Sequence, residues 1–528
     1  MIVNCLTERT AMKRRGFLLG GAVALASTHA FAQMKMGDMP GMSHGKGATP
    51  PAAGPGATIS IPTGEPLREL SPLANLSQET GLFEAKLIAA PSKTQFVKGL
   101  DTPILAYNGQ TPGPLIEAFE GDRIRIHFAN QLQGEETTVH WHGLPVPADQ
   151  DGNPMDAVAA GAERVYEFTL PEGSAGSYWY HPHPHGRTAE QVYAGLAGAF
   201  VVRAKADPIP AAYDDTALFF TDLRLSPDGS MPANTMLDMM NGRIGDHVLV
   251  NGQKNPVLIL KQGEKRRFRM FNATNARYLR LSFGGAPITI VGTDGGLIEA
   301  PYAVGTELLL APAERQEVVV GFDKPGMARL STLAYERGWM GPGRPQDAGL
   351  TLMTFAIDKS PASPQPPLPA QLRTIADLGA PTQTRRFVFG ESMAMGANGM
   401  AMRKGMDMSK GMDMGKAMAF TINGASFDMA RVDTVMELGE VEHWEIANPT
   451  DMDHPFHVHG TQFQIVENVR GATVSKPPYR AWKDIVNVPR GQSVRIALRM
   501  ERPGLRMYHC HILEHEQLGM MGLLDVRA

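Results

Sequence analysis

The chain has 528 residues, with 50 basic and 54 acidic side chains giving a net charge of −4. So even a balance offers no electrostatic attraction to nucleic acid or an anionic membrane surface, and neither is expected as a partner. Two cysteines exclude a disulfide-stapled scaffold and any Cys-rich zinc or iron–sulfur site, whereas 16 His and 31 Met need an explanation.

In chain order, Lys13-Arg14-Arg15 opens a basic-then-apolar segment that ends in Ala30-Phe31-Ala32, a small-x-small cleavage pattern. Its apolar run is shorter than the roughly 20 residues that span a bilayer. The adjacent arginines are similar to a twin-arginine signal, so residues 1–32 are expected to direct export to the periplasm, with a Sec signal as the alternative. Cys5 would leave with this segment, and Cys510 alone would remain, without an internal disulfide partner. Residues 33–66 are rich in Met, Gly and Pro and are expected to be disordered; Met34, Met36, Met39, Met42 and His44 lie in this tract.

Beyond this point short β-rich runs recur between Gly, Pro, Asn and Asp, such as residues 123–128, 165–170 and 317–320. Long amphipathic helical patterns are scarce. Regularly spaced strands of this kind suggest an all-β fold of β-sandwiches or barrels, and three sandwiches are expected at about 67–205, 206–358 and 384–528, with a Pro-rich linker at 359–383. No other apolar run is long enough to span a membrane, and a monomer is expected.

Eleven histidines fall into four segments: HWHG (140–143), HPHPH (181–185), HPFHVHG (454–460) and HCHILEH (509–515). The first two belong to the first domain and the last two to the third, so a shared metal site must lie between domains. On a strand His509 and His511 share one face while Cys510 points the other way, and one tripeptide can serve two metal centres. His454, Cys510, His515 and Met520 make the donor set of a blue-copper site, a His2Cys plane with a weak axial Met. Eight further histidines come in H-x-H pairs, 140/142, 181/183, 457/459 and 509/511, enough for three ions holding two, three and three. Closed tetrahedral zinc sites fit this set poorly. His185 reads as a surface or supporting residue, and His127 as part of an ordinary strand.

Residues 393–418 hold nine methionines and a near-repeat, GMDMSK then GMDMGK. Thioethers favour Cu(I), and the intervening Gly, Asp and Lys would not make a buried face. A copper-collecting segment is the first reading and a disordered insert the second.

The four His segments, with GLAGAFVV (195–202), INGASFDM (422–429) and HGTQF (459–463), resemble the multicopper oxidases, most closely the bacterial cuprous oxidases with a Met-rich insert. That resemblance implies three cupredoxin-like Greek-key β-sandwich domains and four copper ions. His454, Cys510, His515 and Met520 would hold type 1 copper, and His140 and His457 type 2. His142, His181, His183, His459, His509 and His511 would hold the type 3 pair. It also implies that electrons pass from type 1 copper through Cys510 to a cluster that reduces O2 to water, with Asp151 and Glu516 in proton delivery. Asp151 can equally be a turn residue in Asp151-Gly152-Asn153-Pro154, and Glu516 a solvated charge. The electron donors implied are Cu(I), in copper tolerance, and phenols. An additional substrate copper would bind near the Met-rich segment. Met452 fits the family's substrate-copper pattern, whereas Thr450 stands at the usual acid position and Asp451 is one residue off. A laccase-type phenol or metal-ion oxidase, or a non-catalytic periplasmic copper-binding protein, are the alternatives.

Overall fold

Alternating burial shapes the strands. In Arg123–Asn130 the side chains of Ile124, Ile126 and Phe128 are buried and those between them partly exposed. Val441–Asn448 starts with the same alternation around buried Trp444 and Ile446. This is the pattern of a sheet with one face on a core and one toward water. The computed structural model describes residues 60–341, 349–393 and 418–528. The export segment, most of the tract before residue 60, and the methionines between 394 and 417 lie outside the described residues.

The strands form six sheets in three successive two-sheet units. The first unit places Leu82–Val97, Leu100–Tyr107, Arg123–Asn130 and Glu163–Thr169 in one sheet. Gly113–Phe119, His140–His142, Gly176–His181 and Gly198–Arg203 form the other. A single core, with Ile124, Phe128, Trp141, Tyr178, Tyr180 and Phe200, fills the space between them. The second and third units each pair a six-stranded with a five-stranded sheet. The all-β expectation therefore holds, and no helix among the described residues is long and apolar enough to cross a membrane.

The three units repeat one device. In each, an early strand pairs in parallel with a later one: Leu82–Val97 with Arg123–Asn130, Asp215–Leu223 with Glu264–Asn272, and Gln383–Met393 with Val441–Asn448. In each, an Asn-Gly turn follows, at Asn108-Gly109, Asn251-Gly252 and Asn423-Gly424, with asparagine φ of +50°, +50° and +54°. The three asparagine side chains accept the N–H groups of Ile88, Phe219 and Val388, each in that unit's early strand. Asparagine tolerates the left-handed region because its side chain bonds locally. The recurring NG dipeptide is an internal repeat legible in the sequence but missed there.

Two connecting segments are more ordered than their composition predicts. Residues 60–66, placed in the disordered tract, lie along the edge strand Val257–Gln262. Gly64 N–H donates to Asn255, Leu67 N–H donates to Val257 O, and Ile61 packs against Leu223 and Leu249. An unpaired sheet edge supplies the backbone partners that composition cannot reveal. The Pro-rich 359–383 segment is strapped to the second unit through buried Leu372 and Ile375, with Leu372 N–H donating to Glu299 O at 2.8 Å.

Candidate metal centres

Register brings the four His segments into two facing pairs of strands. His140–His142 runs antiparallel to Gly176–His181, with His140 opposite His181 and His142 opposite Trp179. His454–Val458 runs antiparallel to Gly504–Cys510, with His457 opposite His509 and Phe456 opposite Cys510. Alternation sends Trp141 into the first core, beside Tyr166, while His140 and His142 face the third unit. Likewise Cys510 joins the third core with Trp444, Phe456 and Met520, on the side away from His509 and His511. The side chains of all eleven expected His and Cys donors are buried.

On the Cys510 side, His454, Cys510 and His515 bring one donor atom each within 4.8 Å of the others. His454 Nδ1 lies 3.4 Å from Cys510 Sγ and 3.3 Å from His515 Nδ1. The outer nitrogens are held: His515 Nε2–H donates to the Met240 carbonyl at 3.0 Å, and His454 Nε2 meets Glu391 Oε1 at 3.1 Å and Thr450 Oγ1 at 2.9 Å. Met520 is buried in the same core, and its carbonyl accepts the Cys510 N–H at 3.0 Å.

On the other side the eight paired histidines gather. His183, His459 and His509 form one triad, and His142, His181 and His511 a second. His140 and His457 remain, their Nε2 atoms 3.4 Å apart. His509 Nε2 lies 3.2 Å from His183 Nε2 and 3.1 Å from His459 Nε2. Backbone carbonyls fix four of the eight rings: the Nδ1–H groups of His140, His457, His181 and His509 donate to the carbonyls of Asp151, Asp484, Pro182 and Cys510. This turns Nε2 inward. His142 is reversed, its Nε2 being 3.1 Å from Asp484 Oδ1.

These residues fit metal ions on their own chemistry. Two nitrogens about 2 Å from one tetrahedral ion sit about 3.3 Å apart, the spacing found here. His142 Nδ1, His181 Nε2 and both nitrogens of His511 are buried with no hydrogen-bond partner among the described residues. Each such atom costs about 1–3 kcal/mol unless its lone pair is taken. Burial keeps His142, His181, His183, His457, His459, His511 and His515 neutral, well below the usual histidine range, and lowers His509 to about 3. Neutral imidazole is the ligating form. Burial pushes the Cys510 thiol up, so it ionises only beside a bound cation.

The two acids stand at the cluster. Asp151 is fully buried, with Oδ2 3.2 Å from His459 Nδ1 and Oδ1 3.3 Å from His140 Nδ1. Glu516 is 1% exposed, which removes the solvated-charge alternative; Oε2 lies 3.1 Å from His509 Nδ1 and Oε1 3.5 Å from His183 Nε2. His185 is exposed near Phe427, and His127 pairs with Glu84 at 2.7 Å; neither joins a metal-type group. Asp451 is exposed and Met452 buried. The carboxylate at the edge of His454 comes instead from Glu391, 63 residues upstream, and sequence reasoning missed it along with Asp484. Neither lies in a histidine segment.

Family models described as multicopper oxidase match residues 89–207, 225–329 and 400–528. The multicopper oxidase mco of Staphylococcus haemolyticus is 33% identical over 450 residues, spanning 83% of this chain and 88% of that protein. The chain belongs to the multicopper oxidase family. Among solved structures, a multicopper oxidase from Campylobacter jejuni, titled a metallo-oxidase, matches with a TM-score of 0.82. It is 42% identical and covers 89% of this chain and 96% of its own. Another relative, the cell division protein FtsP of Dickeya dadantii, is 30% identical over 446 residues, 81% of this chain and 86% of that one. Family membership makes the three two-sheet units cupredoxin-like and the chain a copper-dependent oxidoreductase acting between electron donors and O2.

Proposed function

We propose that this oxidase couples the one-electron oxidation of Cu(I), and secondarily of phenols, to the four-electron reduction of O2. For Cu(I) the reaction is 4 Cu(I) + O2 + 4 H+ → 4 Cu(II) + 2 H2O. His454, Cys510, His515 and Met520 would hold a type 1 copper, and His140 with His457 a type 2. The triads His142/His181/His511 and His183/His459/His509 would hold the type 3 pair. When bound, these four ions supply one-electron uptake at the first centre and O2 reduction at the other three. One relative is named for cell division, so the reading rests on this chain's own donors. The observation that carries it is the backbone of Cys510, which joins the thiol to His509 and His511 on the opposite face.

Residues around the centres divide the remaining work. Burial raises the Glu516 carboxyl well above its usual range, so it holds a proton beside His509 and His183. Asp151 orients two rings, His140 through its backbone carbonyl and His459 through carboxylate Oδ2. Glu391 places negative charge at the outer edge of His454, where a cationic donor would approach. Copper tolerance in the periplasm, after export by the twin-arginine-type segment, is the setting this activity suits.

The test compares O2 uptake with Cu(I) and with a phenol. Met393 and Met418 face each other in strand register, so residues 394–417 can be replaced by a short Asn-Gly turn. Removing them, or making Glu391→Gln, is expected to lower Cu(I)-driven uptake about tenfold, roughly 1.4 kcal/mol, and to spare phenol oxidation. Unchanged Cu(I) oxidation in both variants would exclude the cuprous preference.

A further inference from the structure

The middle sandwich supplies none of the proposed copper ligands, yet it sends side chains between the two sandwiches that do, Asn275 to Ala189 and Glu514, and Arg315 to the histidine cluster's own support. Arg315, at the start of strand Arg315–Phe322, is fully buried. Its Nε donates to Ser177 O in the first unit at 2.9 Å, and Nη1 donates to Ala313 O at 3.0 Å in its own. Nη2 donates to Asp294 O at 3.2 Å, and the fork Nη1/Nη2 closes on both carboxylate oxygens of Asp484 in the third, with 2.7 Å to Oδ1. All five guanidinium N–H groups are thereby used. Gly143 of the first His segment lies against this pair with φ +86°, and any Cβ there would run into Asp484 and Arg315.

Asp484 is where this arrangement meets the cluster. Its Oδ1 takes the Nε2–H of His142, and its backbone carbonyl takes the Nδ1–H of His457 at 2.7 Å. His140, His181, His457 and His509 use backbone carbonyls at Nδ1, which leaves Nε2 inward. His142 alone among these five has its Nε2 engaged by a carboxylate, and its Nδ1 is the nitrogen left without a partner among the described residues. Reversing a ring requires an acceptor placed and oriented from outside the strand.

We infer that Arg315 is a positioning residue for the histidine cluster: acting through Asp484, it sets which nitrogen His142 turns to its metal. This rests on the copper reading above. A lysine could neutralise Asp484 but not hold it in a fork, so charge and orientation are separable.

The experiment uses the copper-loaded full-length protein and measures copper retained against a chelator, the blue absorbance, and melting of the metal-free chain. Arg315→Lys is expected to keep the blue absorbance and near-wild-type melting. Its cluster copper should be held about 10–100-fold more weakly, the usual effect of disturbing a ligand's hydrogen-bond partner. Arg315→Met combined with Asp484→Asn keeps the charge balance and an acceptor for His142 but has no fork to orient it, and should lose cluster copper as Arg315→Lys does while the blue absorbance stays. The inference is overturned if Arg315→Lys retains cluster copper like wild type. It is equally overturned if blue and cluster copper fall together, which marks a purely structural role. Should Arg315→Lys not fold, the paired variant decides: weakened cluster copper with the blue absorbance kept supports the inference, and wild-type retention or parallel loss of both contradicts it. Wild-type protein that binds no copper beyond the blue centre would overturn the copper reading instead.

Discussion

Cys510→Ser is expected to leave a folded protein with no blue absorbance and donor-driven O2 uptake lowered about a thousandfold, roughly 4 kcal/mol in barrier. Among the described residues the Cys510 thiol is the one group that can become a sulfur anion. Serine keeps approximate shape, and the eight cluster histidines lie on the opposite face of the strand. What is lost is the soft, ionisable donor, because a hydroxyl does not ionise under the same cation. Copper analysis should find one ion fewer per chain, and thermal melting should show the metal-free protein close to wild type. A Cys510→Ser protein that stays blue and turns over normally would remove the assignment of this centre.

Glu516→Gln is expected to slow O2 reduction about a hundredfold while leaving copper content and the resting blue absorbance intact, as loss of a proton donor in the rate-limiting step predicts. Glutamine fills the same buried space beside His509 and His183 but has no proton to give. Electrons would still arrive, so the blue colour should stay bleached during turnover with excess donor. Stopped-flow absorbance recorded with O2 uptake checks this. A variant that turns over at the wild-type rate would show that protons reach the cluster by another acid, with Asp151 the first to examine.

The donor set was legible in the sequence because it is local. H-x-H on a strand places two imidazoles on one face, and H-C-H places the cysteine on the other, by backbone period alone. The all-β class was legible for the same reason, in the alternation of strands such as Arg123–Asn130. What the sequence hid is long-range. Glu391 reaches His454 across 63 residues, and Asp484 reaches His142 across 342; nothing in their local context marks them. The acid expected beside His454 was sought in Asp451, whose side chain is exposed, because neighbours in sequence were the only neighbours visible. The docking of 60–66 on a sheet edge was hidden likewise, since composition reports a segment's own preference and not the partner waiting for it. The threefold Asn-Gly turn was there to be read, and only its common role in the fold makes it a repeat.

Two centres joined by one tripeptide make a direct claim: electrons taken up singly leave together as water. The decisive measurement is to reduce copper-loaded protein fully without O2, then mix it with O2 and follow O2 consumed, peroxide released and the blue absorbance. One O2 consumed per chain, complete return of the blue colour and no peroxide are predicted. Peroxide as the product, or blue colour returning without O2 consumption, would contradict the linkage of the Cys510 centre to the histidine cluster.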